Sequence, residues 1–216
     1  VKRTLPASML VVVGLVLGAS DVAFAKGVTS RKMRFVERGA NLTVNTSFTN
    51  ILDPDDYAAL SSGFPTRIVI HLVVYQQGSD IPVAIERIRR RVVYDLWDET
   101  YVLEVTGSKG VYQKRFESRV QLLRELTQLR RQPVAKLSKV GVGPHYILAV
   151  VAQLNPVEEE RMAEMRRWLT KSSSDSSLDS SSSFFGSFVS VFANSKLGEA
   201  DRVVRLQSQP FYRVKQ

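Results

Sequence analysis

The sequence predicts an α+β domain, mainly antiparallel β-sheet and sandwich-like, with two to three packed helices, preceded by a signal peptide. Three observations predict it. The run Tyr146–Leu154 is apolar in both alternating registers, as in a central strand covered on both sides. Amphipathic strand patterns follow one another closely through residues 68–116, with short loops between them, which reads as an antiparallel meander. Two longer segments carry helical spacing of apolar residues, so sheet and helices share one domain over residues 26–216.

The segment ahead of that domain reads as a secretory signal peptide. Lys2 and Arg3 give a positive start and Met9–Leu17 an unbroken apolar core. Ala23-Phe24-Ala25 supplies the small-x-small pattern of signal peptidase, so cleavage falls between Ala25 and Lys26. A membrane anchor is the rival reading, but a spanning helix needs about 20 apolar residues, and the stretch from Leu5 to Ala19 is shorter. A lipoprotein needs a cysteine at the cleavage site, and the chain has none. Val1 stands where an initiator methionine is expected, which reads either as a GUG start codon or as a trimmed end. The first reading points to a bacterium, and with export to the periplasm or cell envelope.

The elements of the domain follow in order. Residues 31–49 read as extended, with Asn41–Phe48 alternating apolar and polar. Asp53-Pro54-Asp55-Asp56 opens a short helix: Asp53 caps, Pro54 suits the first helical position, and the acids favour the positive end of the dipole. Gly63 ends it. The spacing of these acids does not match a calcium loop. Ile68, Ile70, Leu72 and Val74 share one face of the next strand; Val69, His71, Val73 and Tyr75 share the other. A turn over Gln76–Pro82 leads to a strand over about residues 83–95, then strands at 101–105 and 111–116 joined by Gly107–Gly110.

Ser118 with Gln121 forms a capping-box pattern. Val120, Leu123, Leu126 and Leu129, widened by Leu122, predict a helix that runs to Pro133. After the central strand, Asn155-Pro156 opens a second long helix whose buried stripe is Val157, Met162, Met165, Trp168 and Leu169. Nine of the twelve residues at 172–183 are serine, the composition of a flexible insert. An apolar run, Phe184–Phe192, follows, and Arg202–Leu206 reads as a last strand.

Composition narrows the chemistry. The chain has 216 residues, with 30 Lys+Arg against 21 Asp+Glu. Removing residues 1–25 takes away Lys2, Arg3 and Asp21 and leaves a net charge near +8. A basic chain ordinarily points to nucleic acid, but export argues against that partner. Lipid headgroups, envelope polysaccharides and acidic proteins remain, or a plain solubility role. With no cysteine there is no disulfide framework, no cysteine nucleophile and no thiolate metal site.

No catalytic residue, metal ligand or cofactor is assigned. His71 lies mid-strand and His145 follows Pro144; no Gly-x-Ser-x-Gly elbow accompanies them, and their spacing fits no zinc motif. Asp95, Asp98, Glu99 and Glu104 cluster around Trp97 and Tyr101, which raises an alternative, a carbohydrate-active hydrolase. The ordinary reading is that these acids offset neighbouring arginines. Gly107-Ser-Lys-Gly110 is a turn, too short for a phosphate loop.

Two features point to a partner. Arg87, Arg89 and Arg91 alternate, so on a strand they project from one face about 7 Å apart, while Arg90 projects from the other with Ile88 and Val92. Such a row suits an anionic partner; the plainer reading is a solvated run paired with acids. Phe184, Phe185 and Phe188 belong to a segment that either docks on the core or serves as an apolar hook for a membrane or a partner protein.

Ala59-Leu60 with Gly63 and Pro65, the strand to Tyr75, Arg91-Val-Val-Tyr-Asp95, Trp97, Tyr101-Val-Leu103, and strand 146–154 with Asn155-Pro156 form a pattern. In it the chain resembles an uncharacterised family of bacterial exported proteins known only as a domain of unknown function. Val93-Tyr94 stands where the family pattern has paired tryptophans, and the serine-rich insert departs from it. The resemblance implies a small envelope protein and carries over no catalytic residues. The expectation is therefore a non-enzymatic binding or assembly module for an envelope protein or anionic surface, with peripheral membrane contact as one form and no oligomeric state assigned.

Overall fold

The computed structural model describes residues 28–79, 81–157 and 200–214. The signal-peptide cleavage residues Ala23, Ala25 and Lys26 lie outside these residues. So do nearly all of the expected 156–171 helix, the serine-rich insert, and Phe184, Phe185 and Phe188.

The protein is mostly β-sheet with few helices, arranged as two sheets. The larger runs in the order β1 (Val28–Arg31), β10 (Arg202–Ser208), β9 (His145–Leu154), β4 (Thr66–Gln76), β5 (Pro82–Asp95), β6 (Thr100–Gly107) and β7 (Gly110–Phe116), with β11 (Phe211–Tyr212) also on β9. The smaller is β2 (Arg34–Arg38), β3 (Asn41–Ser47) and β8 (Gln128–Lys136). β4 to β7 form the expected antiparallel meander, and β9 sits centrally between β4 and β10. β1 pairs parallel with β10, which makes the large sheet mixed.

The alternation read from the sequence sets the faces. Ile68, Ile70, Leu72 and Val74 are all buried, and with Leu148, Val150 and Leu154 of β9 they face inward. Leu42 and Val44 of β3, Leu129 and Val134 of β8, and Leu122 and Leu126 of the helix α2 (Arg119–Thr127) join the same cluster. Both sheets thus contribute to one apolar core, the main source of stability in a chain without cross-links. On the outer face Val73, Tyr75, Ala149 and Val151 form a second, smaller cluster with Val28 and Val203 against it.

α2 corrects one expectation. It ends at Thr127 rather than at Pro133, and residues 128–136 are strand β8. Two facts account for this. Val120 is exposed, so the buried helical pair is Leu122 with Leu126, and Leu129 reaches the core from a strand instead. Pro133 lies in β8 at the edge of the small sheet, beside a register break opposite Leu42 and Thr43, where a missing N–H is tolerated. Ser118 occupies the N-cap position but its side chain makes no capping bond.

The short helix α1 (Pro54–Ala59) has the capping expected. Asp53 Oδ1 accepts from the backbone N–H of Asp55 and Asp56, and Asp56 Oδ2 accepts from the N–H of Asp53. Arg202 of β10 fastens this cap to the sheet, donating to Asp53, Asp56 and the carbonyl of Ile51. The Asp56 N–H first, and then the Arg202 guanidinium, hold the Asp53 carboxyl below its ordinary value of 3.8. A lowered carboxyl value contributes stability that is complete above the ordinary value and is lost as pH falls through the folded one. Asp53→Asn keeps the cap and removes the charge. A plot of thermal midpoint against pH, taken from about pH 6 to about pH 2.5, is therefore expected to fall less steeply in this variant than in the wild type; parallel slopes would show that the pair carries no linkage.

Gln209 and Arg213, after β10, are tied to the body of the fold. Gln209 donates to the carbonyl of Met33 and accepts from its N–H, both at 2.8 Å. Arg213 makes a two-pronged pair with Glu37 at 2.8 and 3.1 Å and donates to the carbonyls of Leu137 and Val140.

Candidate functional site

β5 positions the site. Its even residues Ile88, Arg90 and Val92 turn inward and are buried, and its odd residues Arg87, Arg89 and Arg91 turn outward and are exposed. The expected row of three arginines is therefore present. Among the described residues none of the three joins an ion pair.

Register across the sheet adds members that sequence reasoning missed. Arg87 lies opposite His71, Arg89 opposite Val69 and Thr106, and Arg91 opposite Arg67 and Glu104. His71 in turn lies opposite Val151, which faces Arg205 of β10. Directly opposed residues share a face, so Arg67, His71 and Arg205 stand on the same side as the row. Arg205 is partly buried, and its Nε has no hydrogen-bond partner. Glu104 is the carboxylate directly opposite Arg91, and Gln113 donates to it at 3.3 Å. The face divides in two: largely buried over β4 and β9, where Arg67 and His71 stand among apolar residues, and more open over β5 to β7.

Arg90 is the inward arginine. It is 7% exposed. Its Nη1 donates to the carbonyl of Leu126 at 2.8 Å and its Nη2 to that of Gln128 at 3.1 Å. A cation thus closes the C-terminal end of α2, where the dipole is negative and carbonyls lack partners. Burial pushes the guanidinium down to about 10, against the pull of Glu125 and Tyr112, so it stays charged at neutral pH.

Two of the acids around Trp97, Asp95 and Asp98, have partners. Asp95 Oδ1 accepts from the backbone N–H of Trp97 and Asp98, which fixes the β5–β6 turn. Asp98 pairs with Arg115 at 3.1 Å. Trp97 itself is 95% exposed at the tip of that turn. His71 is on the outer face of β4, and His145 stacks obliquely on Tyr212 with ring centres 5.3 Å apart. Among the described residues no group of three or more His, Asp or Glu side chains is placed to hold a metal ion, and no helix is long and apolar enough to cross a membrane.

No curated protein and no solved structure matches the chain. A family model described as a domain of unknown function, DUF4390, matches residues 25–180. That span holds the meander, the arginine row and both buried central strands, β4 and β9, and covers well over half of the chain. On this match the chain belongs to the DUF4390 family, whose function is unknown.

Proposed function

We propose that this protein is exported to the cell envelope, its leader removed between Ala25 and Lys26, and that it works there as a non-enzymatic binding or assembly module. In this reading the two sheets form a sandwich-like scaffold and β5 presents the binding face to an anionic partner, either an envelope protein or a charged surface. The observation that carries it is the exposed row Arg87, Arg89 and Arg91, free of ion pairs among the described residues. Guanidinium groups bind carboxylate and phosphate in a two-pronged way, and a rigid strand holds them at fixed spacing. Phe184, Phe185 and Phe188 belong to the same proposal as a second, apolar contact.

The test is cross-linking of the tagged protein in intact cells, comparing the wild type with Arg87→Glu, Arg89→Glu and Arg91→Glu combined. Exposed substitutions change stability by about 0.5 kcal/mol or less, so the fold is expected to survive. Capture of a discrete partner by the wild type, and its loss in the triple variant, is the expected result. Equal capture by both proteins overturns the role of the row.

A further inference from the structure

We propose that the solvent face of the small sheet holds a second site, separate from the β5 row, for a phosphate-type oxyanion. The site is a shallow open groove where β3 and β8 lose register. It is lined by Asn45, Thr46, Ser47, Gln128, Arg130 and Arg131, with Leu129 behind. Val44 pairs with Gln132 but Thr46 pairs with Leu129, so Arg130 and Arg131 bulge out opposite Asn45. Bulges of this kind re-aim side chains and are common beside functional sites.

Two features point to an anion. First, Arg131 is held at φ +50, a left-handed conformation that a bulky residue rarely adopts, and it is pinned there by its N–H to Asn45 Oδ1 at 2.9 Å. Second, charge is one-sided. β8 contains Arg130, Arg131 and Lys136 and no acid; β3 has neither acid nor base. β2 adds Arg34, opposite Asn45, and Arg38, and its single acid, Glu37, is taken by Arg213. Arg31 adds a further guanidinium on Ser47, donating to its carbonyl and hydroxyl. Several donors from guanidinium forks, an amide and a hydroxyl suit a tetrahedral oxyanion better than a planar one.

The groove lies on different strands from the Arg87–Arg91 row, so this site stands or falls independently of that one. Titration of the full chain with inorganic phosphate, followed by amide NMR shifts, tests it. Saturable shifts confined to residues 45–47 and 128–131 are expected. Arg131→Gly is the informative variant, since glycine accepts the left-handed backbone while the guanidinium is lost. It is expected to keep the wild-type thermal midpoint and to weaken phosphate binding about tenfold, the equivalent of one charged hydrogen bond; Arg130→Gln is expected to act similarly. Lys109→Ala, in the distant β6–β7 turn, is the charge-matched control. Linear shifts spread over all arginines, or equal affinity in Arg131→Gly and the control, overturn the proposal. Vesicles of phosphatidylglycerol distinguish the source: sedimentation with them that Arg131→Gly weakens assigns the phosphate to a lipid headgroup, and phosphate binding without vesicle binding assigns it to a soluble ligand.

Discussion

Arg90→Ala is expected to lower folding stability by about 3 kcal/mol, because one buried and one partly buried carbonyl lose charged donors at once. The opposing effect is real: burial depresses the guanidinium to about 10, which shows that the site resists a charge. The balance favours arginine for geometric reasons. The carbonyls of Leu126 and Gln128 lie at the end of α2, where no further helical N–H is available, and the guanidinium spans both. Arg90→Met separates the contributions, since it restores the apolar stem but not the donors; it is expected to recover about 1 kcal/mol of the loss, the share due to packing. Chemical denaturation is the measurement, with the slope unchanged and the midpoint lowered. A midpoint as high as wild type in Arg90→Met would show that desolvation outweighs the two bonds.

Arg90 also shows where sequence reading stops. Alternation along β5 places it on the face of Ile88 and Val92, and the structure shows that face to be the buried one. Its role was not legible, because the carbonyls it satisfies come from residues 36 and 38 positions away. The same physics explains the misread helix. Leu123, Leu126 and Leu129 have helical spacing, but β8 gains a ladder with β3 that local spacing cannot register. Three purely local patterns match the structure: the Asp53 cap, the Gly107–Gly110 turn and the apolar double face of β9 depend on residues within one element. The parallel pairing of β1 with β10 joins segments more than 170 residues apart and leaves no local trace.

The binding face divides along the same line. Three arginines two residues apart are visible in any strand-period reading. Arg67 is the one arginine of β4 and Arg205 one of two in β10, and only register aligns them with the row. The β3–β8 groove was harder still, since Asn45, Arg130 and Arg131 meet through a bulge, and the helix expected over 118–132 had absorbed both arginines.

Phe48→Ala tests whether the two sheets fold as one unit. Phe48 follows β3 directly, is fully buried, and donates its backbone N–H to the Thr127 carbonyl at 2.9 Å. It therefore stands where the small sheet, the end of α2 and the shared core meet. Truncation to alanine leaves a cavity, and a loss of about 4 kcal/mol is expected from removing a buried phenyl group. Phe48→Leu fills much of that space and is expected to lose about 1.5 kcal/mol. Because the core side chains of β3 and β8 interlock with those of β4, β5 and β9, the loss is expected to be felt by the whole domain. Far-UV and near-UV circular dichroism are then expected to report one coincident, lowered transition in Phe48→Ala. Two separated transitions would mean that β2, β3 and β8 unfold on their own, and that the apolar contact between the sheets is too weak to couple them.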